Sequence, residues 1–186
     1  MPVEVCDYNP EWPMLFQSLR DLYIGRLQAV RVPIVSIEHV GSTSVPGLAA
    51  KPVLDIDIVV LPEHVPAAST VLESLGFAPL GELGIPDRWA FRSPEDLPVT
   101  ATYIVLAGSL ALRNHLAVRE TLRANTRLRD EYSVVKRTVG AWAADIFEYG
   151  GGKNDMVQRI PSEAGLSQEE LTSIAGNIVP GPEVPR

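Results

Sequence analysis

The sequence predicts an α+β protein in which a mixed β-sheet is backed by helices. An apolar stripe with three-four spacing between residues 12 and 27 predicts a long helix near the start of the chain. Short β-branched runs between residues 34 and 106, bounded by Gly and Pro, predict strands with one helix among them. Beyond Gly108 the pattern is helical, and this order of elements is typical of the α+β class.

The composition is that of a globular chain with room for a core. There are 186 residues, of which 46% are apolar and 21% charged. We expect one domain over residues 1–163, followed by a short helix and a loose tail over residues 164–186. The net charge of −7 argues against broad non-specific binding to nucleic acid, although a small basic pocket is compatible with it.

The sequence also favours a cytoplasmic location. Cys6 is the one cysteine, so no intrachain disulfide can form, and a reducing compartment suits the chain. The first twelve residues lack the basic and apolar regions of a signal peptide. No apolar run approaches the ~20 residues of a membrane span, so we expect no membrane partner.

The individual elements follow from turn signals and spacing. We expect a short edge strand over residues 3–6, then a helix that opens at Asn9-Pro10 and runs to about Gln28. A helix over residues 63–75 is expected to end at Gly76. The predicted strands span residues 34–40, 53–61, 77–83, 88–92 and 99–106.

The second half of the chain is predicted to be helical. Ser109 can cap one helix, and Ser167 with Glu170 forms a capping-box pattern for the last one. Residues 149–152 read Tyr-Gly-Gly-Gly and predict a flexible turn, and Pro161 is expected to end the helix before it. These later helices are predicted over residues 109–124, 127–144, 153–160 and 167–174.

The stretch that carries chemistry is residues 34–60, where an apolar run ends at Gly41-Ser42 and a second one contains Asp55 and Asp57. Residues i and i+2 of a strand face the same way, with Cα atoms roughly 6.5 Å apart, so both carboxylates should share one face. Ionised carboxylates are costly to bury unless paired or bound to metal. A pair of this kind suits a hard cation such as Mg²⁺.

The spacing of these residues resembles the signature of the nucleotidyltransferase superfamily, in which Gly-Ser is followed at a distance by Asp-apolar-Asp-apolar. Here twelve residues separate Gly41-Ser42 from Asp55. Gly41 lets a phosphate approach the backbone, and Ser42 can donate a hydrogen bond to it. A metal held by Asp55 and Asp57 can then bridge the same triphosphate. The structural alternative is a plain turn beside a solvated strand end.

A longer likeness is carried by IEHVGSTSVPGLAAKPVLDIDIVV, residues 37–60, which closely resembles the core of the GrpB-like branch of that superfamily. The opening of that family is similar to DYNPEWPMLFQSLR in this chain, and its two later helices are similar to NHLAVRETLRAN and EYSVVKRTVG. Its closing Tyr-x-x-x-Lys motif resembles residues 149–153. The resemblance covers roughly residues 3 to 160. It implies a nucleotidyltransferase-like fold with a nucleotide-binding cleft.

The chain departs from this family in the strand over residues 100–106, TATYIVL, where relatives often carry histidines. Active nucleotidyltransferases commonly place a third carboxylate on such a strand, as general base for the attacking hydroxyl. Glu82 is the best candidate for that acid, with Glu95 and Asp96 as loop alternatives. Each of these is more simply explained as a solvated surface acid.

Other polar residues are weighed against structural roles. His39 adjoins the turn and can contact phosphate or substrate, or be a hydrogen-bonded strand-end histidine. Lys51 can neutralise phosphate, whereas His64 and His115 lie on predicted helices, where structural or exposed roles are expected. Further candidates for a cationic wall are Arg92, Arg113, Lys136 and Lys153. The basic run Arg119, Arg123, Arg127 and Arg129 is expected to mark solvated helix faces.

Two other enzyme classes use similar aspartates. The first motif of haloacid-dehalogenase-like phosphatases also reads Asp-x-Asp, but that fold puts this strand first and needs a later acidic pair, which we do not find. Metal-dependent glycosyltransferases carry a DxD motif as well, but they usually need a longer chain.

The preferred hypothesis is Mg²⁺-dependent transfer of a nucleotidyl group from a nucleoside triphosphate to an unidentified acceptor. Asp55 and Asp57 would be the catalytic metal ligands, while Gly41, Ser42, Lys51 and His39 would bind the nucleotide. The alternative is a binding or regulatory module that kept the cleft and lost turnover with the third carboxylate.

Overall fold

A computed structural model describes residues 3–176 and contains a five-stranded mixed sheet with helices on both faces. The strands lie in the order β1-β2-β5-β4-β3, with β2 and β5 parallel and the other neighbours antiparallel. The predicted α+β class with a mixed sheet is therefore confirmed. The strands are β1 (Ser36–Val40), β2 (Leu54–Val60), β3 (Ala78–Gly81), β4 (Arg88–Arg92) and β5 (Thr100–Leu106).

Seven α-helices surround the sheet in the described part of the chain. They are α1 (Trp12–Ala29), α2 (Val65–Ser74), α3 (Leu110–Ala124), α4 (Thr126–Trp142), α5 (Ile146–Gly152), α6 (Asn154–Glu163) and α7 (Gln168–Gly176). Single 3-10 turns at Ser42–Ser44 and Pro62–His64 follow β1 and β2. Within residues 3–176, no helix combines the length and apolar character needed to cross a membrane.

The two faces of β2 have different neighbours. Leu54, Ile56 and Ile58 are buried in a core shared with Tyr23 of α1 and Leu72 of α2. Each such side chain contributes about 1.5–3 kcal/mol on burial, which explains why α1 and α2 dock on this face. The opposite face carries Asp55, Asp57 and Val59, as the alternation of the strand predicts.

The N-terminal segment differs from expectation in two details. Residues 3–6 form no strand, because Cys6 makes only an isolated bridge with Ala50. Helix α1 begins at Trp12 rather than at Asn9, whose side-chain oxygen accepts a hydrogen bond from the Glu11 amide at 2.9 Å. Asn9 thus closes the turn that precedes the helix.

The predicted flexible turn at residues 149–152 is also wrong, because these residues complete α5. Asp145 caps this helix by accepting hydrogen bonds from the amides of residues 147 and 148, which offsets the weak helix propensity of the glycines. Gly152 fits closely against α4, since a Cβ there would lie 2.6 Å from Val139. The helix therefore delivers Lys153 to a defined position.

The last two helices show one error and one success. Helix α6 continues through Pro161 to Glu163 because Ile160 and Pro161 are buried, which offsets the lost backbone hydrogen bond. The capping box before α7 is present, with Ser167 Oγ accepting from the Glu170 amide and Glu170 from the Ser167 amide. The predicted loose tail over residues 177–186 lies outside the described residues.

Candidate functional site

The turn after β1 lies directly over the first aspartate. Gly41 has a φ of +64°, and a Cβ at this position would lie 2.0 Å from Asp55 Oδ2. The register explains this contact, because Val40, the last residue of β1, pairs with Asp55 on β2. Only glycine can occupy this position without displacing the carboxylate.

Asp57 is fully buried, and its two oxygens have different environments. Oδ2 lies 2.7 Å from His115 Nδ1 on α3, whereas Oδ1 has no hydrogen-bond partner among the residues that the structure describes. Burial opposes protonation of His115, but the charge and hydrogen bond of Asp57 outweigh it and raise the His115 pKa. Burial also raises the pKa of Asp55, an effect that His115 opposes and Asp57 reinforces.

Lys136 of α4 reaches the same turn from the other side. Its side chain is 2% exposed, and Nζ donates to Ser42 Oγ and, at 3.1 Å, to the Ala49 carbonyl. Burial lowers its pKa to about 7, with Lys153 adding to the effect and Asp55 opposing it. A lysine at this site was only a weak candidate from sequence, since most lysines are solvated.

Two further lysines complete a cluster near Asp55. Burial lowers the pKa of Lys153 to about 8, with Lys51 adding to the shift and Asp55 opposing it. Burial also lowers the pKa of Lys51, again against the attraction of Asp55. Lys153 and Lys51 both disfavour the charged form of Lys136, and Lys51 disfavours that of Lys153, so the cluster favours an anion between them. The other predicted wall residues are outside this cluster: Arg92 is exposed on β4, and Arg113 pairs with Glu170.

His39 supports the turn from the protein interior. Its Nε2 lies 2.9 Å from Thr43 Oγ1, and its ring stacks on Phe16 with centroids 4.8 Å apart. Burial, followed by the nearby charges of Arg123 and Arg119, lowers its pKa to about 4. The ring is therefore neutral at physiological pH and holds residues 41–44 in place.

Helix α3 presents a stripe with four-residue spacing to the site: His115, Arg119 and Arg123. Arg119 donates to the His39 carbonyl and to Glu38, each at 3.0 Å, and Arg123 donates to the Ser44 carbonyl at 2.8 Å. The expectation of an exposed position for His115 is wrong, because its side chain is 19% exposed and its ring contacts Asp57; the predicted structural role is compatible with this contact. The i, i+4, i+8 spacing was the signal in the sequence.

The solvated-face expectation for the basic run is only partly correct. The Arg119 side chain is 15% exposed, and Arg129 donates to the Pro46 carbonyl at 3.1 Å. Arg127, at 89% exposure, is solvated as predicted. Three of these arginines therefore anchor the segment from 39 to 46 through its carbonyl oxygens.

On the other side of the aspartates, β5 supplies no acid. Ala101 pairs with Asp55 and Tyr103 with Asp57, so these residues occupy the neighbouring positions on the same face. The guanidinium of Arg88 on β4 lies 4.6 Å from the centre of the Tyr103 ring. Burial raises the pKa of the Tyr103 phenol, and Asp55 adds to this, so Tyr103 is no base at neutral pH.

None of the three candidates for a third carboxylate joins the site. Glu82 accepts a hydrogen bond from the Asp87 amide in the turn between β3 and β4, and Glu95 and Asp96 are exposed in the following loop. Glu38 on β1 is the register partner of Asp57 on β2, but its carboxylate forms an ion pair with Arg119. Among residues 3–176, no group of three or more His, Cys, Asp or Glu side chains is placed to hold a metal ion.

The donor set nevertheless fits one role for Mg²⁺. This ion often takes one or two protein carboxylates and completes its shell with water and substrate phosphates. Asp57 Oδ1 is buried without a partner in the described chain, and the Asp55 carboxylate lies on the same strand face. The site therefore fits Mg²⁺ that arrives with phosphate oxygens rather than a cage of protein ligands.

Comparison with known proteins gives relatives along most of the chain. The family model described as GrpB protein matches residues 2–163. UPF0157 protein YqkA of Bacillus subtilis is 32% identical over 95% of this chain, which spans 51% of that protein's length. UPF0157 protein BH1888 of Halalkalibacterium halodurans is 33% identical, over 89% of this chain and 84% of that protein.

Solved structures show the same fold. The crystal structure of conserved protein GrpB from Enterococcus faecalis has a TM-score of 0.74 at 29% identity, covering 87% of this chain and 96% of that chain. The Cid1 poly(U) polymerase in its MgGTP-bound form has a TM-score of 0.51 at 14% identity, covering 80% of this chain and 50% of that one. Identity at this level supports the fold alone, and the predicted nucleotidyltransferase-like fold is confirmed.

Proposed function

This chain belongs to the GrpB family and has a nucleotidyltransferase-like fold, and we propose that it binds a nucleoside triphosphate together with Mg²⁺ and transfers the nucleotidyl group to an acceptor. The observation that carries the proposal is the buried, unpartnered Oδ1 of Asp57, on the same strand face as Asp55, whose carboxylate lies against the Gly41 turn. A buried carboxylate oxygen without a partner costs free energy, which a bound cation would offset.

Asp55 and Asp57 are the proposed ligands of the ion. When bound, Mg²⁺ would neutralise charge on the phosphate oxygens and on the leaving pyrophosphate. The protein's own part is positioning: Gly41 lets the Asp55 carboxylate lie against the backbone of the turn, and Ser42 holds its hydroxyl beside the Lys136 amine, where a phosphate would bind. His39 contributes by holding Thr43, one residue beyond Ser42.

The lysine cluster supports the choice of a polyphosphate. Lys51, Lys136 and Lys153 converge near Asp55 with lowered pKa values, so an anion placed among them would restore their full charge. A triphosphate carries several negative charges over a short length, and it can reach both the lysines and the carboxylate pair.

A second candidate function is a nucleotide-binding module without turnover. The observation that favours it is the absence of a carboxylate at positions 101 and 103, next to the aspartates on β5. A hydroxyl acceptor would then have no general base beside it.

Calorimetry with Mg²⁺ and a panel of nucleoside triphosphates separates these functions. We expect binding that disappears in Asp57→Asn and persists in Asp96→Asn, a matched change at an exposed loop acid. Pyrophosphate release across an acceptor screen supports the transferase, whereas binding without release favours the module. Absence of nucleotide binding with and without Mg²⁺ contradicts both.

A further inference from the structure

Strand β4 presents arginines to the face that carries Asp55 and Asp57, and neither β4 nor β5 adds a third acid there. Directly paired residues share a sheet face, so the row Asp55, Ala101 and Arg92 runs across β2, β5 and β4. A second row on the same face consists of Val59, Val105 and Arg88. Both charged residues that β4 turns towards this face are therefore arginines.

Arg88 is placed within reach of the site centre. Its guanidinium lies over the ring of Tyr103, 4.6 Å from the ring centre, and Tyr103 is the direct neighbour of Asp57 in the sheet. The Nε atom of Arg88 is buried and has no hydrogen-bond partner in the part of the chain that the structure describes. A buried N–H without a partner is costly, and a guanidinium matches phosphate oxygens with paired donors.

We propose that the acceptor is a phosphate monoester, bound by Arg88 with Arg92 at the edge of the site, rather than an alcohol. This inference rests on the proposed function and names its acceptor class. It also accounts for the missing carboxylate, because a phosphate dianion carries no proton on the attacking oxygen and needs no general base.

The step balances without a further reactant. An oxygen of the acceptor phosphate attacks the α-phosphorus of the nucleotide, and a new P–O–P anhydride bond forms. The bond between the α-phosphorus and its bridging oxygen to the β-phosphorus breaks, and its electron pair leaves with pyrophosphate. The lysine cluster, on the opposite side of β2 from Arg88, faces the departing pyrophosphate.

Two titrations separate this inference from the function on which it rests. The first measures binding of an α,β-methylene nucleoside triphosphate with Mg²⁺, which tests the proposed function alone. The second adds inorganic phosphate to that complex. We expect phosphate to bind, with affinity reduced about tenfold in Arg88→Gln and unchanged in Arg26→Gln, an exposed arginine of α1.

A turnover assay tests the same inference by measuring pyrophosphate release with paired acceptors, such as glycerol 3-phosphate and glycerol. Pyrophosphate release is expected only with phosphorylated members, and Arg88→Gln should raise the acceptor KM about tenfold while the nucleotide KM changes less than about twofold. Arg88→Lys retains the charge without the planar fork and should give an intermediate KM. Release with the alcohols, release with neither class, or phosphate binding that ignores Arg88→Gln overturns the inference.

Discussion

The two sides of β2 place different chemistry against the same pair of carboxylates. The lysine side, formed by residues 41–51 with Lys136 and Lys153, holds a glycine turn against Asp55 and surrounds it with cations. The β5 side, formed by Ala101, Tyr103 and Arg88, adds no acid and a single stacked guanidinium. This difference underlies both proposals, in which each side of the carboxylate pair binds phosphate and neither side abstracts a proton.

The two sides of β2 are also held in place by different contacts. On the lysine side, Arg119 and Arg123 of α3 and Arg129 of α4 donate hydrogen bonds to backbone carbonyls of residues 39–46. On the β5 side the support is the strand pairing itself, with Ala90 opposite Tyr103 and Arg88 opposite Val105. The lysine side therefore depends on docking of the C-terminal helices, and the β5 side depends on the sheet.

We expect the strongest loss of function from Gly41→Ala, a change in the turn on the lysine side. A Cβ at 2.0 Å from Asp55 Oδ2 must displace either the turn or the carboxylate, so nucleotide binding should be lost. Gly81→Ala is the matched control, because Gly81 has a similar φ of +76° but open space around its Cβ position. Both positions have a positive φ, so backbone strain of about 1–3 kcal/mol is expected in each variant, and only Gly41→Ala adds the clash with Asp55. Equal affinities in the two variants would contradict the contact.

Lys136→Met tests whether the buried amine serves binding at the expense of stability. We expect nucleotide affinity to fall about tenfold, since one charged contact is lost, while Arg26→Gln, which removes an exposed charge, leaves affinity unchanged. The pKa of Lys136 is about 7 in the fold and 10.5 ordinarily, so the unfolded chain binds the proton more tightly. Lys136 therefore destabilises the fold most at pH below about 7, and the penalty fades as the pH rises towards 10.5.

The variant should accordingly be more stable than the wild type at pH 6, by an amount on the order of a few kcal/mol, and nearly equal to it at pH 10. Urea unfolding at the two pH values measures this. A variant that is less stable at pH 6 would show that the hydrogen bonds of Lys136 outweigh its desolvation.

Proton uptake on nucleotide binding is a smaller effect that also tests the lysine side. The lowered pKa values of Lys136 and Lys153, about 7 and about 8, should rise when a polyanion enters beside them and Lys51. Binding at pH 8 should therefore take up protons, and affinity should weaken as the pH rises from 7 to 9. Calorimetry in buffers of different ionisation enthalpy measures the uptake, which Lys136→Met should reduce. Proton release at pH 8 would point to another group.

Sequence reasoning succeeded where the determinants are local. The alternation of Leu54 to Ile58 predicted which side chains share a face, and the caps at Ser109 and Ser167 were readable as short patterns. The Gly41 turn and the aspartate pair could be identified from the sequence because all three residues belong to one continuous strand–turn–strand unit. Their predicted role in binding nucleotide stays a prediction.

The parts of the site that sequence reasoning missed depend on distant packing. Lys136 lies 94 residues beyond Ser42, and His115 lies 58 residues beyond Asp57. Burial of a lysine against its usual preference is decided by how α4 to α6 dock over the turn, which no local pattern states. The glycine-rich end of α5 was misjudged for the same reason, since the Asp145 cap and contact with α4 override propensity.

Ala101→Asp is the smallest change and adds an acid to the β5 side. The new carboxylate would stand beside Asp55 in the pairing register, giving three acids on neighbouring strands. We expect tighter binding of Mn²⁺ or Mg²⁺ because a further oxygen ligand joins the pair, and a stability loss of about 1 kcal/mol from like-charge repulsion without metal. Ala107→Asp, at a half-buried position beyond the end of β5, is the control for adding one charge. Calorimetric metal affinity that is the same in both variants would mean that position 101 does not face the aspartates. A gain confined to Ala101→Asp, accompanied by pyrophosphate release with alcohol acceptors, would show that the chain lacks only the base, and that its native acceptor is one that needs none.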